Sequence, residues 1–568
     1  MRKTDLLRAT LAAGLLVGGT GCTVIPVGGP AVPYVAQGRD SLTKPFHRMV
    51  AIEPQPDWTP EQTIRGLQAA MAAYPDDPAT LQKYLTPEAR ATWQPTSTVV
   101  VLENAFEVGD QDPRDTDETV RKVQIVGTQA AVIEHDDTYR PAERKETIPF
   151  TLVKDPKGGY RVSSMPDGLL LTVADVARAY RPTKLYYVAG DRLVADRVWL
   201  RLKAAQPFAQ TIIERLLNEP SSALVGAVGS GFMPGTKVES VRSGEDNVVI
   251  NLKGPVGFDR RQEILAQLQA SLYKNDIANG RTIEVHVNGE PYATDKDIDP
   301  GWLDNDSGDA YYQDKGALHR LPAKADEDGP LVGYTAGKPD TEYTDFALAK
   351  RSIGLVAAKG PDGISVTSLN EERPWQQVIQ GDKLTPPTWH RDGTLWTFDQ
   401  RNGVVLRWDP EGVRRVSAPG VAGLNVTRLR IARDGVRVAV TKGDTLVEVG
   451  ALALPSALMI GNVRQLFKAD SGETIRDVAW RDGERLLVLT KSNAGPNLLE
   501  INVGDGSKRE IPLKDDLRSL AAMPDMILAE AKPKENKDGG VILEFIEEQQ
   551  SWTPRSTANA HDPVFPLG

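Results

Sequence analysis

At 568 residues the chain exceeds the size at which a single hydrophobic core keeps growing, so two to four domains of about 100 to 200 residues each are expected. With 40% hydrophobic and 25% charged residues it can bury such cores, and past its first two dozen residues no apolar run approaches the roughly 20 residues of a spanning helix. Lys and Arg number 67 against 77 Asp and Glu, a formal charge of -10; with no basic run long enough to release counterions from a phosphate backbone, that balance excludes a nucleic-acid partner.

The chain opens with Arg2, Lys3 and Arg8, followed by an apolar or Gly run from Leu11 to Val17 and then Gly18, Gly19, Thr20 and Gly21 before Cys22. A basic start, a short apolar middle and small residues at the end make residues 1–21 an export signal, too short to span. Cys22 is the only cysteine, so it forms no internal disulfide, and a free thiol in an oxidising compartment is a liability; the alternative is a plain secretory peptide with a chance Cys. The arrangement resembles a bacterial lipoprotein signal, although Gly19 stands where that signal usually has Leu or another large aliphatic. The resemblance implies cleavage before Cys22, acylation of Cys22, and a lipid-anchored chain on the extracytoplasmic face of the cell membrane. Pro26, Pro30 and Pro33 with Gly28 and Gly29 then give an extended tether, taken here as residues 22–56.

Residues 57–180 read as an α+β domain. Thr59, Pro60 and Gln62 form a helix start with a capping box, and Ile64, Leu67, Met71 and Tyr74 fall on one face. Asp77 and Pro78 begin a second helix with Leu81, Tyr84 and Leu85 as its stripe. Beyond Trp93 the period changes to short β-branched segments, Thr98 to Val108, Val120 to Ile125, Ala130 to His135, Thr147 to Lys154 and Tyr160 to Ser163. Helices followed by a meander resemble the nuclear-transport-factor-like fold. Residues 181–299 follow as an α/β unit in the order β-α-β-β-α-β, with helices at Ala209 to Leu217 and Gln262 to Leu272. Its Leu216-Leu217, Pro234-Gly235-Thr236 and Val287-Asn288-Gly289 landmarks resemble the GerM-type domain of sporulation and envelope proteins, which implies a non-catalytic interaction module.

After a linker at 300–318, residues 319–568 repeat themselves. Trp389-His390-Arg391-Asp392-Gly393 is echoed by Ala432-Arg433-Asp434-Gly435 and by Trp480-Arg481-Asp482-Gly483, the aspartates recurring at intervals of 42 and 48 residues, with Pro361-Asp362-Gly363 a fainter member. Each lies between β-rich runs such as Leu429 to Ile431 and Val436 to Thr441. Repeats of about 40 to 50 residues, each a few strands around an Asp-Gly hairpin, mark a β-propeller with room for about six blades; a β-sandwich with coincidental turns is the alternative.

For chemistry the sequence offers little. Phosphate-loop, nucleophile-elbow and His-Glu-x-x-His motifs do not occur. Asp304-Asn305-Asp306-Ser307-Gly308-Asp309 imitates a calcium loop, but its sixth position is Asp309 and its twelfth Lys315, so it reads as a solvated linker. His47, His135, His286, His319, His390 and His561 show no metal-ligand spacing, and Gly229 and Gly231 begin a dinucleotide fingerprint that fails at Pro234. No catalytic residue, cofactor or metal is assigned.

The order of signal, tether, α+β domain, GerM-like domain and propeller resembles the actinobacterial LpqB-type lipoproteins, as do Arg181-Pro182-Thr183-Lys184-Leu185-Tyr186-Tyr187 before Arg197-Val198 and the Asn218-Glu219-Pro220-Ser221 turn. The resemblance implies a non-enzymatic accessory that contacts the ectodomain of the sensor histidine kinase in an MtrA/MtrB-type two-component system, with effects on envelope homeostasis, division and development. Two rival classes are a propeller enzyme acting on cell-wall glycan, which requires convergent carboxylates at the propeller mouth, and a solute-binding lipoprotein, which requires two similar α/β lobes.

Overall fold

The computed structural model describes residues 42–568 apart from 45, 75, 113, 115–116, 304–307, 322–328, 422–424, 454–457, 533–538 and 557–558, with 46–48, 300 and 303 by backbone alone, together with the backbone of 32–34. Cys22 and most of the acidic linker motif lie outside these residues. Val32–Tyr34 pairs antiparallel with Phe46–Arg48. Composition extends the tether to residue 56, but the chain is built into the fold from Leu42 onward. Leu42 is 1% exposed in the core of the second domain, where its carbonyl accepts the Ala209 amide at 3.0 Å. Ala51 is buried in the core of the first domain, and Met49 and Ile52 pack against it. Single apolar residues in an aperiodic stretch carry no periodic signal, yet each finds a core in three dimensions.

In the first domain, Thr59 and Gln62 form the expected capping box on helix Pro60–Ala73. The expected second helix is two short ones, Pro78–Gln82 and Pro87–Thr92, because Tyr84 and Thr86 exchange backbone hydrogen bonds with Val162 between them. The sheet runs in the order Tyr160–Ser164, Tyr139–Lys154, Val120–Ile133, Val99–Asp110, Leu169–Thr172, with only the last pair parallel. Val120–Ile133 is one strand with a bulge near Gln129, where the sequence pattern suggests two. Ile64, Leu67 and Met71 close this domain's core against Val123, Ile125, Phe150 and Leu152.

The second domain opens with hairpin Tyr180–Ala189 and Arg192–Arg201, and helix Phe208–Leu216 follows. Strands Lys237–Ser243, Asn247–Lys253, Thr282–Val287 and Glu290–Thr294 then form a sheet whose middle pair is parallel, joined by helix Arg261–Tyr273. Gly231 belongs to this packing. A Cβ there would lie 2.7 Å from Cβ of Glu263, and its amide donates to the buried Gln267 at 2.6 Å. Close approach to a helix explains the glycine.

The third domain is six four-stranded antiparallel sheets arranged as a β-propeller. The first blade takes its innermost strand, His561–Val564, from the end of the chain, paired with Ala310–Asp314, so the ring is closed by non-local pairing. Inner strands of the other blades are Thr344–Leu348, Thr388–Trp389, Val426–Ile431, Thr474–Trp480 and Leu517–Met523. The core lies between blades. Trp396, Phe398 and Val405 of the third blade pack on Leu429, Ile431 and Val438 of the fourth, and Trp480, Leu486 and Val488 of the fifth pack back on Ala439 and Val447.

Candidate functional site

The Arg-Asp-Gly turns sit where each inner strand reverses into the second strand. Each aspartate caps its own turn: Asp434 accepts the amides of Val436 and Arg437 at 2.8 and 3.0 Å, Asp482 those of Glu484 and Arg485 at 2.8 and 2.7 Å, and Asp392 that of Thr394 at 2.9 Å. The arginines reach other blades. Arg391 donates to the Arg433 carbonyl at 2.8 Å, Arg481 to the Pro524 carbonyl at 3.1 Å, and Arg433 to the carbonyls of Ala522, at 3.2 Å, and Pro566. His390 joins this girdle, with Nε2 2.8 Å from the Gly435 carbonyl oxygen. The repeat thus encodes a capped turn plus a link to another blade.

This same side of the propeller is locked to the other domains. Arg197 pairs with Asp505 at 2.5 Å and Lys184 with Glu484 at 2.7 Å, while Arg437 donates to the Ala195 carbonyl. Val194 and Leu224 form a small buried cluster with Val436 and Ala451. Asp505 is 2% exposed and also accepts Trp199 Nε1 at 3.4 Å. The Trp199 ring stacks on Tyr139 of the first domain, centroids 4.5 Å apart, and a Cβ on Gly506 would come within 2.7 Å of Pro141. Arg215 ties the first and second domains by pairing with Asp137 at 2.8 Å, and Asp136 accepts the Ser222 amide at 2.7 Å. All three domains meet here.

At the opposite end of the inner strands, the axis of the propeller opens into a pocket. Asp345, Arg428, Arg430, Asp477, Ser519 and Asp562 contribute polar groups, with Pro386 from the third blade. Register shifts occur in five inner strands at this level: between Thr344 and Ala347, Val426 and Arg428, Ile475 and Asp477, Leu517 and Ser519, and in the pairing of His561–Val564. An extra residue bends a strand and re-aims its side chain, and here each bulge delivers a polar residue to the axis. The deep part holds about 80 Å³ of water-accessible space and widens into a mouth of about 640 Å³ that adds Lys359, Thr427, Asp444 and Arg476. The mouth is of ligand-binding size; the deep part alone is too small for more than a side chain.

The charges in the pocket are unevenly satisfied. Asp477 is pinned by Arg428 at 3.2 Å and by the Leu520 amide at 2.8 Å. Asp345 and Asp562, both with left-handed backbone (φ 50° and 41°), make no ion pair among the described residues. Burial raises the Asp562 pKa, and nearby Glu530, Asp345 and Asp477 raise it further. Arg430 makes no ion pair there either, its nearest hydrogen-bond acceptor being the Pro387 carbonyl at 3.5 Å, and burial lowers its pKa. Carboxylates therefore converge in the deep part of the axial pocket, accompanied by two guanidinium groups, and of Asp345, Asp477 and Asp562 only Asp345 also lines the mouth. The pocket was not assigned from sequence, since its residues come from different blades. The one local signal is a charged residue inside an apolar inner strand, Asp477 before Val478-Ala479-Trp480 and Arg430 between Leu429 and Ile431.

Other residues singled out from sequence are structural. His561 faces Glu530 at 3.1 Å, His319 stacks on Tyr312 with centroids 5.0 Å apart, and His286 lies 4.0 Å from Glu284. Among the described residues no three His, Cys, Asp or Glu side chains are grouped to hold a metal ion, and no helix is long and apolar enough to cross a membrane.

Family models match three consecutive segments: residues 53–177 the N-terminal domain of lipoprotein LpqB, residues 184–293 a domain described as sporulation and spore germination, and residues 316–566 the β-propeller domain of lipoprotein LpqB. Lipoprotein LpqB of Thermobifida fusca is 26% identical, the alignment covering 89% of this chain and 92% of that protein. Lipoprotein LpqB of Streptomyces coelicolor is 25% identical over 88% of each chain, and that of Mycobacterium leprae 23% over the whole of both. With the family's domains present in order along one chain, and relatives matched nearly end to end, the chain belongs to the LpqB lipoprotein family.

Proposed function

We propose that this protein is a membrane-anchored, extracytoplasmic interaction accessory that modulates a two-component sensor kinase of the MtrB type, acting in envelope homeostasis, division and development. The observation that carries the reading is the asymmetry of the propeller. One face is consumed by contacts with the other two domains, whereas the other makes no contact with them among the described residues and holds charged groups without ion pairs there in the pocket beneath its mouth. A rigid body that presents one broad polar face suits recognition of a neighbouring protein. A helix, Pro60–Ala73, packed on a five-stranded sheet supports a nuclear-transport-factor-like first domain, a further surface for contact.

The anchor is Cys22. Stable attachment takes more than one acyl chain, since a single chain binds only marginally. Tethering both partners to one membrane raises their effective concentration, so a weak interface is occupied in the cell even where soluble fragments bind poorly. Crosslinking in intact cells followed by identification of the attached protein tests the reading; a sensor kinase ectodomain is expected, and recovery of transport components alone contradicts it. Cys22→Ala should move the protein out of the membrane fraction, and unchanged fractionation contradicts the anchor.

A second reading is favoured by one observation, the convergence of Asp345 and Asp562 in the axial pocket, with Asp345 also reaching the mouth. Glycan hydrolysis uses two carboxyl groups with pKa values pushed apart, and that of Asp562 is raised. Release of products from cell-wall glycan by the purified protein, lost in Asp562→Asn, would establish it.

A further inference from the structure

At the propeller axis some charged side chains find partners and others, beside them, do not. Arg428 and Asp477 satisfy each other at 3.2 Å, and Asp477 further accepts the Leu520 amide at 2.8 Å. Arg430 comes from the same strand as Arg428. Among the described residues its whole fork of N–H donors has one acceptor, the Pro387 carbonyl at 3.5 Å, beyond the usual range of a hydrogen bond. Asp345 accepts the Thr344 hydroxyl at 3.2 Å, and Asp562 accepts the Gln313 side-chain amide with the Ser519 hydroxyl close by. Both carboxylates act electrostatically on Arg430, yet neither comes within ion-pair distance of it among the described residues. Left-handed backbone at both aspartates, φ 50° and 41°, fixes them where they stand. Buried Phe346, Leu520 and Val564 line the same recess, so the field of these charges is weakly screened. The recess therefore holds one cation and two anions that feel each other and do not pair. A simple cation entering it meets Arg430, and a simple anion meets two carboxylates. A ligand that carries both signs on adjoining atoms satisfies all three groups at once.

We propose that the deep part of the axial pocket binds the head group of an α-amino acid, its carboxylate on the Arg430 guanidinium and its ammonium between Asp345 and Asp562. A guanidinium fork matches a carboxylate bidentately, and an ammonium supplies donors to carboxylates that have few. Size agrees with this assignment. About 80 Å³ admits a group of side-chain dimensions, while the mouth of about 640 Å³ has room for whatever the head group is attached to. Asp345 lines both parts and marks the boundary between them. The occupant is either a free amino acid or one such head group at the end of a larger molecule. Binding needs no kinase, so the proposal stands apart from the reading of this face as a partner surface.

The test is calorimetric titration of the full mature chain, carrying Cys22→Ser, with glycine, L-alanine and D-alanine, and with methylamine and acetate, which each carry one half of the head group. Binding of at least one of the three amino acids is expected, at least about tenfold tighter than either half. Arg430→Met, Asp345→Asn and Asp562→Asn should each weaken it about tenfold or more. Arg430→Lys keeps the charge and loses the fork, and should weaken it less than Arg430→Met. Each variant is melted without ligand to confirm that it folds. A rise in melting temperature on adding the amino acid, present in the parent and lost in the variants, is the second readout. γ-Glutamylglycine bears the same head group on a longer molecule and separates the sources. Tighter binding than alanine assigns the mouth to the remainder of a larger ligand, and equal or weaker binding assigns the pocket to a free amino acid. Absence of binding by every amino acid and by γ-glutamylglycine overturns the proposal. So does binding that the substitutions leave intact, or methylamine or acetate binding as tightly as the amino acids.

Discussion

The two faces of the propeller are built from the same strands and treat charge in opposite ways. On the face that meets the other domains, charges are paired or capped: Asp434 by two amides and Arg437, Asp505 by Arg197, and Arg481 by Glu500 at 2.6 Å and Glu547 at 2.7 Å. On the free face, Asp345, Asp562 and Arg430 enter the axial pocket without an ion pair among the described residues. Paired charges fix geometry, and unpaired charges held in a cavity cost stability that an apolar core would not. The first face is an internal joint, and the second keeps charges without ion-pair partners among the described residues.

The comparison is broken most severely at the three-domain junction. Asp505→Ala leaves Arg197 partly buried without its partner and should cost about 3 kcal/mol, because removing one member of a buried pair strands the other. Calorimetry should then show the propeller melting apart from the first two domains. Asp434→Ala removes a turn cap and leaves buried Arg437 without its carboxylate, the same kind of loss as at Asp505; about 3 kcal/mol is expected, with partner binding retained. Loss of binding at an unaltered melting temperature would make that turn functional. Next, Arg433→Ala removes bonds to two carbonyls and the contact of its guanidinium with the Phe565 ring, centred 5.8 Å away, and should cost about 2 kcal/mol in chemical denaturation.

Acid separates the faces further. Burial would raise the Asp392 carboxyl, but bonds from His390 and Thr394 outweigh it and hold the pKa at about 2; at Asp136, burial is likewise outweighed by Ser222 and Thr138, to about 2. Carboxyls with folded pKa values below their unfolded ones contribute stability that is complete above about pH 4 and is lost as pH falls toward 2. Asp562 has the opposite sign. Its folded pKa is raised, so its contribution is complete below the unfolded pKa and declines as pH rises through the folded one. Asp562→Asn, which keeps a residue tolerant of left-handed backbone, should therefore raise the melting temperature slightly at neutral pH, by about 1 to 2 °C, and lose that gain at about pH 4. A fall at neutral pH would mean that the carboxylate is a structural partner.

The locked face was the more legible in the sequence because its determinants are local. A turn aspartate capping amides two or three residues on, or Thr59 capping Gln62, is written within a few residues. The arginines of the same turns were visible as a repeat, although their acceptors, such as Pro524 for Arg481, lie about 40 residues away in another blade. The free face is non-local: Asp345, Arg428, Asp477, Ser519 and Asp562 converge only when six blades close on an axis, and each reaches it through a bulge that strand periodicity does not reveal. Leu42 was missed for a related reason, since one apolar residue among prolines and glycines has no period.

The central claim, that the free propeller face meets a sensor kinase, is tested most directly by placing a photoreactive side chain at Asp444, on the rim of that face, and another at Glu510, on an exposed outer strand, in otherwise intact protein in cells. The account predicts a crosslink to a kinase ectodomain from position 444 and none from position 510. Equal crosslinking from both, or a kinase absent from both, would contradict it.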